Sequence, residues 1–169
     1  MTRRAVVQKW ILYSLCALAL VLVQSLLLVR VQVWGVHPFL LPAIAVIPVT
    51  LERDEGALLF SVFFGLACDL LTPVAGLPCF YALAFLVSGG LAWLLSGRVV
   101  AAGLVCSLAA AASALVVFGV LHLAVLAGSQ SVDVTAAAVL AGKEAALSLP
   151  LTVLVHYPFR RICLLTQRD

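Results

Sequence analysis

Charge is the first thing this sequence lacks. Asp, Glu, Lys and Arg together make up 10% of its 169 residues, against roughly a quarter in soluble domains. That excludes an ordinary water-soluble globule and leaves no basic face for a nucleic acid. Polar stretches are short as well, so there is no room for a separate catalytic module. The five cysteines, Cys16, Cys68, Cys79, Cys106 and Cys163, show no paired spacing. They read as small apolar residues and not as a disulfide framework or a metal cluster. No glycine-rich phosphate loop and no nucleophile with a base and an orienting acid can be assembled, so no cofactor and no catalytic residue is expected. The alternation of a barrel strand is missing too.

What is present is apolar. Hydrophobic residues make up 65% of the chain and the mean hydropathy is +1.24, which predicts an integral membrane protein built of helices. The expected architecture is all-α: one domain over residues 1–169, a bundle of six transmembrane helices. Arg3, Arg4 and Lys9 precede a retained first helix over 10–29, followed by a short loop in which Trp34 anchors at the interface. The second span, over 38–51, is short and contains Pro38, Pro42 and Pro48. It is expected to be proline-broken and shielded by neighbouring helices. Glu52, Arg53, Asp54 and Glu55 then form the only dense charge cluster, read as a solvated loop or a docking point for a cytoplasmic partner.

Two further helices, 56–71 and 76–95, form a central hairpin. A turn at Ser96, Gly97 and Arg98 leads to a fifth helix over 103–127, where Gly103, Ser107 and Ala111 share one face that small side chains prepare for close packing. A sixth runs over 134–157 and ends in a tail with Arg160, Arg161 and Arg168. With six spans, every Lys or Arg in a loop or tail except Arg30 falls on the side of the amino terminus, which predicts cytoplasmic termini. The net charge of +3 then reads as a topology signal and an attraction to anionic membrane lipid, with no nucleic acid involved.

Asp69 is the residue most in need of explanation. A carboxylate in an apolar run needs a partner or a polar cavity. Three roles are open to it: an ion pair with Lys143 that clasps the third helix to the sixth, a cap on the fourth helix near Gly76 and Leu77, or a relay with Lys143 and Glu144. Lys143 and Glu144 point about 100° apart on their helix and face different surroundings. His122 and His156 read as lone core or interface imidazoles.

The run Gly65-Leu66-Ala67-Cys68-Asp69-Leu70-Leu71, followed after a short turn by Gly76-Leu77, resembles the G-x-x-x-D-L and later L/A-G signature of the bacterial rod shape-determining MreD family. Chain length, the basic start, Pro38, Gly56 and Pro150 agree. Two departures are Lys143-Glu144, near where family members often carry an asparagine before the late proline, and the acidity of residues 52–55. The resemblance implies a non-enzymatic, multi-pass subunit of the bacterial cytoplasmic membrane that supports cell shape and sidewall peptidoglycan synthesis. Its implied partners are the bitopic protein MreC, a RodA-like glycosyltransferase with its penicillin-binding transpeptidase, and MreB. Gly65, Asp69, Gly76, Lys143, Glu144 and Pro150 are the structural or partner-binding candidates.

The alternative is a small-molecule binder like the substrate-capture subunit of an energy-coupling-factor vitamin transporter, whose helix arrangement MreD-like proteins resemble. Against it, the first helix reads Ala17-Leu18-Ala19-Leu20-Val21 where those subunits carry A-x-x-x-A, and the outer loops are short.

Overall fold

The computed structural model describes residues 3–71, 79–98, 103–128 and 134–166. They form α1 (Arg3–Leu26), a 3-10 turn (Leu28–Arg30), α2 (Leu41–Glu52), α3 (Glu55–Leu71), α4 (Phe80–Arg98), α5 (Leu104–Gly128) and α6 (Val134–Thr166). No strand occurs among the described residues beyond an isolated bridge between Val33 and Val36. Three stretches, Val6–Arg30, Leu104–Gly128 and Thr135–Thr166, are helices long and apolar enough to cross a membrane. Two shorter apolar helices, Leu41–Glu52 and Phe80–Ser96, lie among them.

The shortest helix is the hub. Residues 42–50 of α2 are all buried, and a helix that is apolar on every side has to be surrounded. The other five helices surround it. Neighbours run α1, α6, α5, α4, α3, and each of these also packs on α2, but the backbones of α3 and α1 do not come together to close the ring. One set of core side chains, including Val49, Phe85 and Phe118, fills the space toward α4 and α5. Another, including Tyr13, Ile44 and Phe159, fills the space toward α1 and α6. On α5, Ser107, Ala110, Ala111 and Ala114 are fully buried; of the small-residue face expected from the sequence, Ser107 and Ala111 pack inside, while Gly103 lies just before the helix and is half-buried.

The second helix departs from expectation in one respect. It is shielded by its neighbours, yet it is not broken. Pro42 lies in its first turn, where a missing N–H costs nothing. Pro48 lies inside, and the helix continues through it to Glu52. Twelve residues rise only about 18 Å. Side chains from two other helices satisfy the backbone that leads into it. Gln24 Oε1 accepts from Leu40 N at 2.8 Å and Gln24 Nε2 donates to Pro38 O at 3.2 Å. Phe39 N donates to Ser148 Oγ at 2.8 Å. Irregular backbone among apolar helices is stable only with such partners.

Other boundaries move as well, most at the start of α1, which is helical from Arg3, and at the end of α6, which runs to Thr166. Ser96, Gly97 and Arg98 belong to the end of α4 and form no turn. The sixth helix does not stop at 157; it passes through Pro158 and carries Arg160 and Arg161 as helical residues. Arg168 and Gly76 lie outside the described residues.

Candidate functional site

Gly65 and Asp69 are two halves of one device. The buried positions of α3 are Ala57, Ser61, Gly65 and Cys68, all small, and this stripe lies against α4. A methyl group added at Gly65 would sit 2.7 Å from the Cα of Ala82 and 2.8 Å from the carbonyl oxygen of Tyr81. Only glycine permits that approach. One turn later, Asp69 Oδ1 accepts from Tyr81 N at 2.9 Å and Oδ2 accepts from Ala82 N at 3.0 Å. These N–H groups belong to the first turn of α4, which has no intrahelical acceptors for them, and the carboxylate meets the positive end of the helix dipole. Cys79, just before the helix, has φ +64°. A side chain from another helix therefore does the work of an N-cap.

Of the three roles open to Asp69, the cap is the one its geometry fits, with the N–H groups of Tyr81 and Ala82 as the donors; Gly76 and Leu77 lie outside the described residues. The clasp to Lys143 does not form. The backbones of α3 and α6 do not approach one another, and no ion pair joins the two residues among those described. The reason is the ring order: α4 and α5 stand between α3 and α6. Lys143 is exposed, Glu144 is half-buried, and Pro150 lies on the exposed face of α6. The adjacent pair thus faces two different surroundings, as its spacing implies.

The opposite end of the bundle carries a second fastener that the sequence conceals. Lys9 Nζ lies 2.7 Å from Glu52 Oε2, both side chains being more than nine-tenths buried. Tyr13 donates to Glu52 Oε1 at 2.8 Å, and Asp54 Oδ2 stands 3.8 Å from Lys9. Asp54 also caps α3, its Oδ1 accepting from Ala57 N at 2.8 Å. Arg53 takes a left-handed conformation with φ +53°, which turns the chain from α2 into α3 in two residues. So the cluster expected as a solvated loop splits: Glu52 is a buried ion-pair partner and Asp54 a helix cap. Beside them the Trp10 indole rests on Gly56, where an added Cβ would lie 2.8 Å from it, and stacks on Phe60 at 5.9 Å between centroids. Lys9 and Tyr13 stand one turn apart on the buried face of α1. That spacing, with Glu52 at the end of an all-buried run, was the available signal.

Between the two fastened ends the ring stays open. A recess of about 250 Å³ runs between α1 and α3, lined by Ser14, Ala17, Leu18 and Val21 on one side and by Phe60, Phe63, Phe64 and Ala67 on the other. Its walls are nearly all apolar, and it opens sideways. Leu18 and Phe63 at its rim are exposed. This arrangement can bind an apolar partner. Among the described residues no group of His, Cys, Asp and Glu could hold a metal ion. No disulfide joins the cysteines among the described residues; Cys68, Cys106 and Cys163 are buried and Cys79 is exposed. His122 packs edge-on against Phe80 and Phe118.

A scan against protein-family models, a search of curated proteins and a search of solved structures each return no match.

Proposed function

We propose that this chain is a non-enzymatic membrane adaptor of the MreD type, a six-span subunit of the cell-elongation complex that binds an MreC-like bitopic protein and supports sidewall peptidoglycan synthesis. The observation that carries the reading is the open seam. Five helices wrap a sixth, the hub is packed shut, and the recess formed by the described residues faces sideways into the plane a transmembrane partner would share. The Gly65 and Asp69 geometry gives the motif behind the family resemblance a physical purpose, which is to lock the central hairpin that forms one wall of that seam. Lys9, Arg53, Arg160 and Arg161 gather at one end of the bundle, and the positive-inside rule makes that end cytoplasmic.

Solute capture is less well supported. A vitamin-binding subunit needs polar side chains around a cavity that opens along the bundle axis, whereas the interior here is filled by Ile44, Ile47, Phe85 and Phe159.

Co-expression with an MreC-like partner tests the proposal. A complex stable in mild detergent is expected, weakened by Ala67→Trp in the seam and unaffected by Val116→Trp on the exposed face of α5. Failure to co-purify in several detergents, with rod shape unchanged on depletion, overturns it.

A further inference from the structure

The seam carries two polar groups that its apolar walls leave unanswered. On the α1 side its recess continues toward the amino terminus as a second, more open groove past Trp10, Val7 and Val6, and Ser14 and Leu18 line both. On the α3 side Glu55, Leu59, Phe63, Ala67 and Leu71 recur every fourth residue and are all exposed, the last three lining the recess. Glu55 therefore heads an exposed ridge that borders the seam.

Ser14 is the first of the two groups. It is exposed, and among the described residues its hydroxyl has no hydrogen-bond partner. Other helical serines turn back on their own backbone: Ser25 Oγ donates to Val21 O at 2.9 Å, Ser88 Oγ to Ala84 O at 2.7 Å and Ser113 Oγ to Ala110 O at 2.8 Å. A bare hydroxyl in hydrocarbon is costly, so one held toward the lipid marks a contact. Glu55 is the second. Glu52 is taken by Lys9 and Tyr13, and Asp54 by Ala57 N and Lys9, whereas Glu55 forms no ion pair among the described residues. The two groups stand at set heights. Trp10 rests on Gly56 and Phe60, so Ser14, one turn further along α1, lies about 10 Å deeper in the membrane than Glu55.

We propose that the seam is read by a single transmembrane helix of a partner, which sets a Ser, Thr, Asn or Gln against Ser14 and, about seven residues nearer the cytoplasm, a Lys or Arg against Glu55. This rests on the adaptor reading above, in which the Lys9 end is cytoplasmic, and supplies its recognition chemistry. A partner helix that obeys the positive-inside rule brings basic residues to the level of Glu55. A lipid tail fills the groove but offers Ser14 neither donor nor acceptor. A second copy of this chain does not match, since seven residues inward of Arg3, Arg4, Arg98, Arg160 or Arg161 its helices carry only Trp, Ile, Leu or Val.

The test uses the full chain in liposomes and, as the probe, a synthetic leucine and alanine transmembrane peptide with lysine at its cytoplasmic flank and asparagine seven residues inward. Energy transfer between fluorophores on the two reports binding, and helical content with monodisperse elution establishes that each variant is folded. Affinity about threefold or more above that of a peptide without the asparagine and lysine is expected. Ser14→Ala and Glu55→Lys should each remove most of that gain, and Val116→Trp on the exposed face of α5 should leave it unchanged. With Glu55→Lys, a peptide bearing glutamate in place of its lysine should bind again. A probe that binds no better than its control overturns the proposal, as does binding indifferent to Ser14→Ala and Glu55→Lys. Transfer between labelled copies of the chain that Ser14→Ala abolishes would make the occupant a second copy and overturns it too. The two readings fail separately. A complex with an MreC-like protein that ignores both substitutions removes this inference alone, whereas probe binding without that complex removes the family assignment and leaves the seam as a helix site.

Discussion

Asp69 reaches across from α3 to hold two N–H groups of α4, so its worth is that of a cap placed on another helix. Replacing a capping side chain by alanine costs about 0.5–2 kcal/mol. Asp69→Ala is expected to fall in that range by thermal unfolding in detergent, and Asp69→Asn, which keeps one acceptor, should lose less. Pairing with Lys143 plays no part in this, so Lys143→Ala should leave the unfolding temperature where it was. A loss equal to that of Asp69→Ala would mean that the two residues are coupled after all. Gly65 gives a second test. Its added methyl meets the backbone of Tyr81 and Ala82, which cannot swing aside as a flexible side chain can, and overpacking of this kind costs about 1–3 kcal/mol. Gly90 lies in the neighbouring helix with open space around it. Gly90→Ala should therefore be tolerated where Gly65→Ala is not, as read by the same melting curves.

At the scale of elements, α1 is the loosest member of the ring. Its backbone comes close to α2 and α6 but not to α3 or α4, it meets α3 mainly through Trp10 on Gly56 and Phe60, and most of its large apolar side chains are exposed. Its position depends on the Lys9 and Glu52 pair and on the Gln24 contact with the lead-in to α2. Removing one partner of a buried ion pair strands the other and costs about 3–5 kcal/mol, whereas replacing both with apolar residues of similar volume is often neutral. Lys9→Met or Glu52→Met alone should thus lower stability sharply, and the double substitution should recover most of it. A double variant as unstable as the sum of the singles would show that the pair is not a unit. Because the pair sits at the closed end of the seam, either single change should also raise the cross-linking of Leu18→Cys to Phe63→Cys by long, flexible reagents, as α1 becomes freer to move.

For the whole molecule, the six-span reading makes a topological prediction. Green fluorescent protein fused at either terminus should fluoresce, and alkaline phosphatase fused after Trp34 should be active while a fusion after Arg53 should not. An active fusion after Arg53 would remove the even number of spans and with it the sorting of positive charge. The same reading explains why the central helix can be so short. Enclosed by five neighbours, α2 meets protein along its length, and its irregular lead-in needs side-chain partners only from α1 and α6.

Composition alone determined that the chain is helical and apolar, because a sequence with so few charges cannot solvate its own surface. Local spacing determined the middle helices to within a few residues, though α1 begins seven residues earlier than expected and α6 runs nine further, and it placed Ser107 and Ala111 on the packing face of α5. The motif at Gly65 and Asp69 was visible, and capping was among its possible roles. What only the tertiary structure decided was who meets whom. Ring order separates Asp69 from Lys143, pairs Lys9 with Glu52 across 43 positions, and aligns Ser107 of α5 with His156 of α6. Periodicity assigns a residue to a face, but its neighbour across that face depends on how the helices are arranged around α2, and no local pattern carries that information.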